Sequence, residues 1–346
     1  MKDLVGVLSP VARLVAALAA IGAASSAFAQ APVRVGTLGA ISDAPIFIAD
    51  KKGFFKEEGL AVTMTTFNSA AVMVAPLGAG QLDVGAGSPS AGMYNAVARN
   101  INIRIVADKA QSTAGYGATK LIVRKDLVES GRFKGLGDLK GMKIAGNAPG
   151  VSNTAMLNAM LASVGLKYSD VEVINLGFPD HFPALQNRSI DAGATIEPIA
   201  TLAVERGAAV EIMRDDQIYP NHQIATLLYG DHFAARRDAA DRFMRAYLRG
   251  IRFYVRALKD GKLAGETAEE VIPILIEYTS VKNADLLRKI TPTGMDADGR
   301  VNVESLQRDV DFYASQGLVQ GQVDVAKIVD HSFVEAAIKA LGPFKP

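Results

Sequence analysis

LGAGQLDVGAGSP, residues 77–89, is echoed further along the chain by LQNRSIDAGATIEP, residues 185–198. Each has a leucine six residues before an aspartate and continues Asp-(Val or Ala)-Gly-Ala towards a proline. The aspartates, Asp83 and Asp191, stand 108 positions apart. Earlier segments match at nearly the same offset: Arg34-Val35 aligns with Lys143-Ile144, and Val62-Thr63-Met64 with Val171-Glu172-Val173, both at 109. An internal echo of this length points to two similar lobes, not to the short repeats of a solenoid.

Outward from these stretches, short apolar strands alternate with helices, the pattern of a parallel α/β sheet. In the first half we expect strands at 33–38, 61–67, 83–86 and 103–107, and helices from Pro45 to about Gly53, from Ala70 to Leu77 and from Ser90 to Arg99. Ser88-Pro89 is expected to cap the last of these. QSTAGYGA, residues 111–118, breaks the pattern and is a candidate crossover. Strands at 121–123, 143–145, 171–176, 192–196 and 210–213 follow, with helices at about 152–164 and 183–187. A second crossover, YPNH at 219–222, leads to a returning strand at 224–229. The chain ends in helices, including one at 241–258 whose arginines recur every three or four residues on one face; a solvated face is the expected use of such a stripe. Two crossovers bracket one lobe inside the other, so the fold class is α/β and two-lobed, a Venus flytrap. Residues 30–117 and 222–346 form lobe 1, and 118–221 form lobe 2.

The N-terminus differs in kind. Lys2 and Arg13 precede an apolar run, Leu14–Ala24, and Ala27-Phe28-Ala29 offers small residues for cleavage. Residues 1–29 therefore read as a signal peptide cleaved after Ala29; the run is too short for a membrane anchor. That segment holds two of the 37 basic and one of the 36 acidic residues, which leaves 35 of each. A neutral chain has no bulk electrostatic reason to bind nucleic acid. The absence of cysteine excludes disulfides, thiolate metal sites and lipid attachment at a cysteine. An exported, periplasmic monomer is expected.

With VRVGTLGAISDAPIFIADKKGFFKEEGL, LDVGAGSPS, IDAGATIEP and FMRAYLRGIRFY in hand, the chain resembles periplasmic substrate-binding proteins of ABC importers. The nearest branch is the nitrate/sulfonate/taurine type with a thiamine-pyrimidine-synthesis-like domain, over residues 32–343. The resemblance implies the type II periplasmic-binding-protein fold with two crossover strands. It also implies a small-molecule ligand between the lobes, an ABC permease as partner, no cofactor and no enzymatic activity. Carried over position by position, it places ligand contacts at Ser42, Asp43, Asn68, Ser69, Gly87, Ser88 and Ser90, and at Tyr116 on the crossover. In lobe 2 it places them at Asn147, Ser152, Asn153, Asp180, His181 and Glu197. Members often carry an aromatic just before the Glu-Pro of the last loop; here that position is Ile196. An enzyme of pyrimidine synthesis and a ligand-presenting sensor module are the alternatives. The eukaryotic enzymes of that kind carry a cysteine-rich motif that this chain lacks.

The four histidines, 181, 222, 232 and 331, lack zinc-site spacing, and no phosphate-binding or dinucleotide motif is present. Asp296-Ala297-Asp298-Gly299 reads as a turn, not as a calcium loop. The expected cleft loops contain no lysine or arginine but do contain Asp43, Asp180 and Glu197. Three carboxylates would oppose a compact inorganic anion. The expected ligand is therefore a small organic molecule with amine or N–H donors, resting on Tyr116 and on Glu197 or Asp43.

Overall fold

The structure, a computed structural model, describes residues 30–345; the expected signal peptide lies outside them. Two five-stranded mixed sheets carry the architecture. The first runs β2-β1-β3-β10-β4, from β1 (Ala31–Thr37), β2 (Leu60–Thr66), β3 (Val84–Gly87), β4 (Ile103–Gln111) and β10 (Gln223–Gly230). The second runs β7-β6-β8-β5-β9, from β5 (Thr119–Arg124), β6 (Lys143–Gly146), β7 (Glu172–Asn175), β8 (Ala192–Ile196) and β9 (Ala209–Arg214). In each, three parallel strands are followed by one antiparallel strand, β10 or β5, and then an outer strand.

The echo has a structural cause. Asp83 Oδ2 accepts the backbone N–H of Arg34 at 2.8 Å, and Asp191 Oδ2 accepts that of Lys143 at 3.0 Å. The return bonds are equivalent, Asp83 N–H to Arg34 O at 2.9 Å and Asp191 N–H to Lys143 O at 2.7 Å. Each aspartate thus ties the strand it precedes to the neighbouring parallel strand; neither acts on its own turn. Burial raises the pKa of Asp83, but the bonds from Arg34 and His232 outweigh it and hold the carboxyl below its usual range.

The chain passes between the sheets twice, from β4 to β5 and from β9 to β10. The two passages pair with each other, Ser112 N–H donating to His222 O at 2.9 Å and Asn221 N–H to Ser112 O at 3.0 Å. Beside them the Ser112 hydroxyl donates to the buried Asp215, and His222 Nε2 lies 2.9 Å from Asp309.

Six helices matter for the site: α1 (Ala44–Lys51), α2 (Ala91–Ala98), α3 (Ser152–Ala162), α4 (Phe178–Gln186), α5 (Arg237–Arg256) and α6 (Val303–Ser315). Helix α4 starts five residues before the expected Pro183. Pro179 fits its first turn, where an N–H would be unpaired anyway, and Pro183 sits inside the helix instead of opening it. Helix α5 buries Phe243, Tyr247, Ile251 and Tyr254 at helical spacing. Of the stripe's arginines, Arg242 pairs with Asp238, Arg245 with Glu58, Arg249 with Glu57 and Arg252 with Asp298, while Arg256 lies over the Phe344 ring. The basic stripe is therefore an ion-paired surface.

Helix α5 packs closely on α1 because Gly250 has no side chain. A Cβ there would lie 2.1 Å from Pro45 O and 2.9 Å from Pro45 C, both backbone atoms that cannot rotate away. Gly250→Ala would gain helix propensity of up to about 1 kcal/mol, yet the helices must part. We expect a net loss of about 1–3 kcal/mol, read as a lower Tm. An unchanged Tm would show that α1 yields without cost.

Candidate functional site

The loops after the parallel strands of both sheets face each other, as expected for open α/β sheets, and enclose a cleft of connected chambers. The outer chamber, about 240 Å³, lies between Leu38, Phe67 and Asn68 on one side and Phe178, Ile196 and Pro198 on the other. An inner chamber of about 40 Å³ shares Leu38, Phe178 and Ile196 with it and continues to Ser42, Ser88, Lys109, Thr119, Asn147, Ser152 and Asn153. A third, about 30 Å³, extends from Ser42 and Thr119 to Glu197 and Thr293.

The two sides touch directly. Ser152 N–H at the start of α3 donates to Ser88 Oγ at 3.0 Å, and Ala91 N–H at the start of α2 donates to Gly150 O at 2.8 Å. Ser88 was expected to cap α2. Ser90 does so instead, accepting the Met93 N–H at 3.2 Å, which frees the Ser88 hydroxyl to reach across.

Of the expected contacts, Ser42, Ser88, Asn147, Ser152 and Asn153 line the inner chamber, Asn68 the outer, and Glu197 the outer and third. Ser69, Gly87 and Ser90 shape the walls without lining them. Ser69 caps the turn at Ala70–Met73, and a Cβ on Gly87 would lie 2.5 Å from that of Ala70. Tyr116, Asp180 and His181 line none of the three chambers. Tyr116 is held in the crossover loop, its N–H on Thr113 O and its carbonyl accepting from Gly294. Asp180 is exposed at the start of α4. His181 is buried against Gly193, with Nε2 3.1 Å from Leu176 O, and burial pulls its pKa down to about 4, so the ring is neutral.

The expected charge balance is corrected most strongly. Lys109 on β4 and Lys120 on β5 project from strands, not loops, and neutralise the two carboxylates. Lys109 Nζ lies 3.0 Å from Asp43 Oδ1 and donates to Ser42 Oγ at 2.7 Å, with both charged side chains wholly buried. Asp43 Oδ2 also accepts the N–H groups of Leu38 and Ala40, so the residue builds the loop after β1. Glu197 Oε1 lies 2.7 Å from Lys120 Nζ and accepts from Thr201 Oγ1 and Thr291 N; Oε2 accepts from Thr201 N. Its lone pairs are engaged within the protein. Burial lowers the Lys120 pKa, but Glu197 and Glu211 outweigh it and hold the ammonium above its ordinary value. Three unopposed carboxylates therefore do not face a ligand: two are ion-paired and Asp180 points away.

Sequence reasoning missed Lys109, Lys120, Phe67 and Phe178. A lysine inside the apolar run IRIVADKAQ was a usable signal, because lysine is almost never fully buried unpaired. Phe67 stands next to the marked Asn68 and Phe178 two residues before the marked Asp180, but nothing in the pattern aimed them into the cleft.

The chamber contains one buried acceptor without a partner. Asn153, 2% exposed, donates through Nδ2 to Ala194 O at 2.8 Å, which fixes the amide orientation. Its Oδ1 has no hydrogen-bond partner. Buried polar groups are nearly always satisfied, and this one is a place for a donor. Among the described residues, no group of His, Asp and Glu side chains is arranged to hold a metal ion.

Two like sheets, two paired crossovers and a cleft at the strand ends define the periplasmic-binding-protein fold. Residues 41–257 match the family model described as NMT1/THI5 like, and the chain belongs to that family. Among curated relatives, a protein named as a binding protein in Brucella abortus is 28% identical over 257 residues, 74% of each chain. A Bacillus subtilis protein named for binding aliphatic sulfonates is 25% identical over 98% of each. A 4-amino-5-hydroxymethyl-2-methylpyrimidine phosphate synthase of Aspergillus parasiticus is 27% identical over 62% of this chain and 60% of its own. Among solved structures, the alkanesulfonate-binding protein SsuA of Xanthomonas axonopodis pv. citri, bound to MOPS, superposes with a TM-score of 0.70 at 17% identity, over 87% of this chain and 98% of that one.

Proposed function

We propose that the protein is an extracytoplasmic solute-binding protein that captures a small organic, nitrogen-containing molecule between two lobes and delivers it to an ABC permease. Residues 30–117 with 222–346 act as one lobe and 118–221 as the other, turning about the paired segments at Ser112 and Asn221-His222. Ligand contacts to both lobes shift an open–closed equilibrium towards the closed form, which the permease recognises. The protein works in the periplasm as a monomer, after cleavage following Ala29. Among the described residues no helix is long and apolar enough to cross a membrane.

One observation carries the ligand reading: the unpartnered Asn153 Oδ1 in a chamber lined from both sides asks for an N–H or O–H donor, which nitrate and sulfate lack. The pairing of Asp43 and Glu197 removes the earlier reason for preferring an amine, and this acceptor replaces it. A thermal-shift screen tests the reading, since a ligand at about 100 times its Kd adds about 2.7 kcal/mol. Donor-bearing organic solutes are expected to raise Tm and nitrate or sulfate to leave it unchanged. The reverse result overturns the ligand class.

The Aspergillus relative favours a second reading, an enzyme of pyrimidine synthesis. The chain contains no cysteine, unlike the cysteine-rich motif of those eukaryotic enzymes. Formation of a Schiff-base absorbance with pyridoxal phosphate, followed by turnover, would establish it; an inert mixture removes it.

A further inference from the structure

Resting on the solute-binding reading, we infer that the ligand is a flat aromatic molecule carrying a primary carboxamide head, gripped by Phe67 from one side of the cleft and Phe178 from the other. Chamber size divides the ligand. The inner chamber, about 40 Å³, has room for about three water-sized groups, the number of heavy atoms in a carboxamide. By the same measure the outer chamber, about 240 Å³, has room for roughly 18 such groups, ample for an aromatic ring as the body.

The head is set by two inner groups of opposite kind. Asn153 Oδ1 accepts only, and Lys109 Nζ donates only. One ammonium N–H goes to the Ser42 hydroxyl, Asp43 Oδ1 lies 3.0 Å away as an ion-pair partner, and among the described residues no other hydrogen-bond acceptor engages the ammonium. A head satisfying both carries an N–H donor and an acceptor oxygen on one small group. A carboxylate would set an oxygen against Asn153 Oδ1. An ammonium would leave Lys109 facing a like charge, and the Lys109 charge is already balanced by Asp43.

The body is set by the outer walls. Phe67 follows β2 and Phe178 opens α4, so the outer chamber is bordered by one aromatic side chain from the loops of each sheet. Ile196 adds an aliphatic wall to the same chamber, and the ring contact missing at that position is supplied from these two loops. Aromatic partners prefer stacked or edge-on rings, which selects planar ligands over branched aliphatic ones.

Isothermal titration of the purified protein with nicotinamide, propionamide and benzoate separates head from body. Nicotinamide is expected to bind about 10-fold or more tighter than either, because each comparator lacks one half of the match. Phe178→Ala is expected to weaken nicotinamide about 10-fold and propionamide by clearly less, since Phe178 borders the inner chamber as well as the outer, and Phe178→Tyr to restore nicotinamide binding. A Tm unchanged by these substitutions confirms the fold, because Phe178 is only partly buried. Equal binding of propionamide and nicotinamide, preference for benzoate, or indifference to Phe178→Ala overturns the inference. If none of the three binds while taurine or another solute raises Tm, this inference falls and the solute-binding reading stands. If no solute in a broad panel binds, both fall.

Discussion

Lys109→Met is expected to destabilise the protein by about 3–5 kcal/mol, because it leaves the Asp43 carboxylate charged in a dry interior. Both members of the pair are 0% exposed, and Asp43 sits under the cleft loop with Oδ2 already committed to Leu38 and Ala40. Methionine matches the length of the lysine stem, so the loss reports charge and not a cavity. In thermal unfolding the change is a fall in Tm on the order of 10 °C. The double variant Asp43→Asn with Lys109→Met is expected to recover most of it. The asparagine oxygen can still accept the two backbone N–H groups, and no unpaired charge remains. Neighbouring sites of this kind are strongly non-additive, and the size of the recovery measures the pairing. A double variant as unstable as the single one would show that Lys109 matters for packing and not for Asp43.

The same pair shows how far sequence reasoning reached. The echo around Asp83 and Asp191 was legible because one geometry, repeated in both halves, stands behind it: each carboxylate takes an N–H of the adjacent parallel strand, at 2.8 and 3.0 Å. Strand order follows from that register, and the loops at the strand ends follow from strand order. The family resemblance put Ser42, Ser88, Asn147, Ser152 and Asn153 on these loops, and the structure brings all five to the inner chamber. Side-chain direction was not legible. Lys109 leaves its strand on the cleft side and Lys120 towards Glu197, and period-2 alternation cannot reveal that when all of β5 and residues 105–111 of β4 are buried. A charge count restricted to loops therefore gave the site an excess of negative charge that the two lysines cancel. The exchange of roles between Ser88 and Ser90 was also hidden, because the partner that decides it, the Ser152 N–H, belongs to the other sheet.

Asp108, next to Lys109 on β4, gives the second large effect, as a pH dependence. Its side chain is fully buried; burial drives its pKa up to about 7, while bonds from Asp296 N–H, Gln223 Nε2 and Ala110 N–H oppose the rise. Asp296 adds a like charge nearby. The folded value lies above the unfolded 3.8, so the folded state binds this proton more tightly. Its stabilising contribution is complete below about pH 4 and is lost as pH rises through 7. Other groups titrate in this window: Asp215, at about 6, runs the same way, and His181, at about 4, runs the opposite way as its neutral form is favoured. Comparing Asp108→Asn with the parent protein cancels both. The amide has one oxygen and cannot take donors on both sides, so at pH 4 the variant is expected to be less stable by about 1–3 kcal/mol from an unpaired Asp296 N–H. Between pH 4 and 8 the parent protein loses about 4 kcal/mol that the variant does not. The gap should therefore close and then reverse in the variant's favour near pH 8, read from urea or thermal unfolding at each pH. A gap that stays constant across that range would mean that the three N–H donors keep Asp108 ionised in the fold despite its burial.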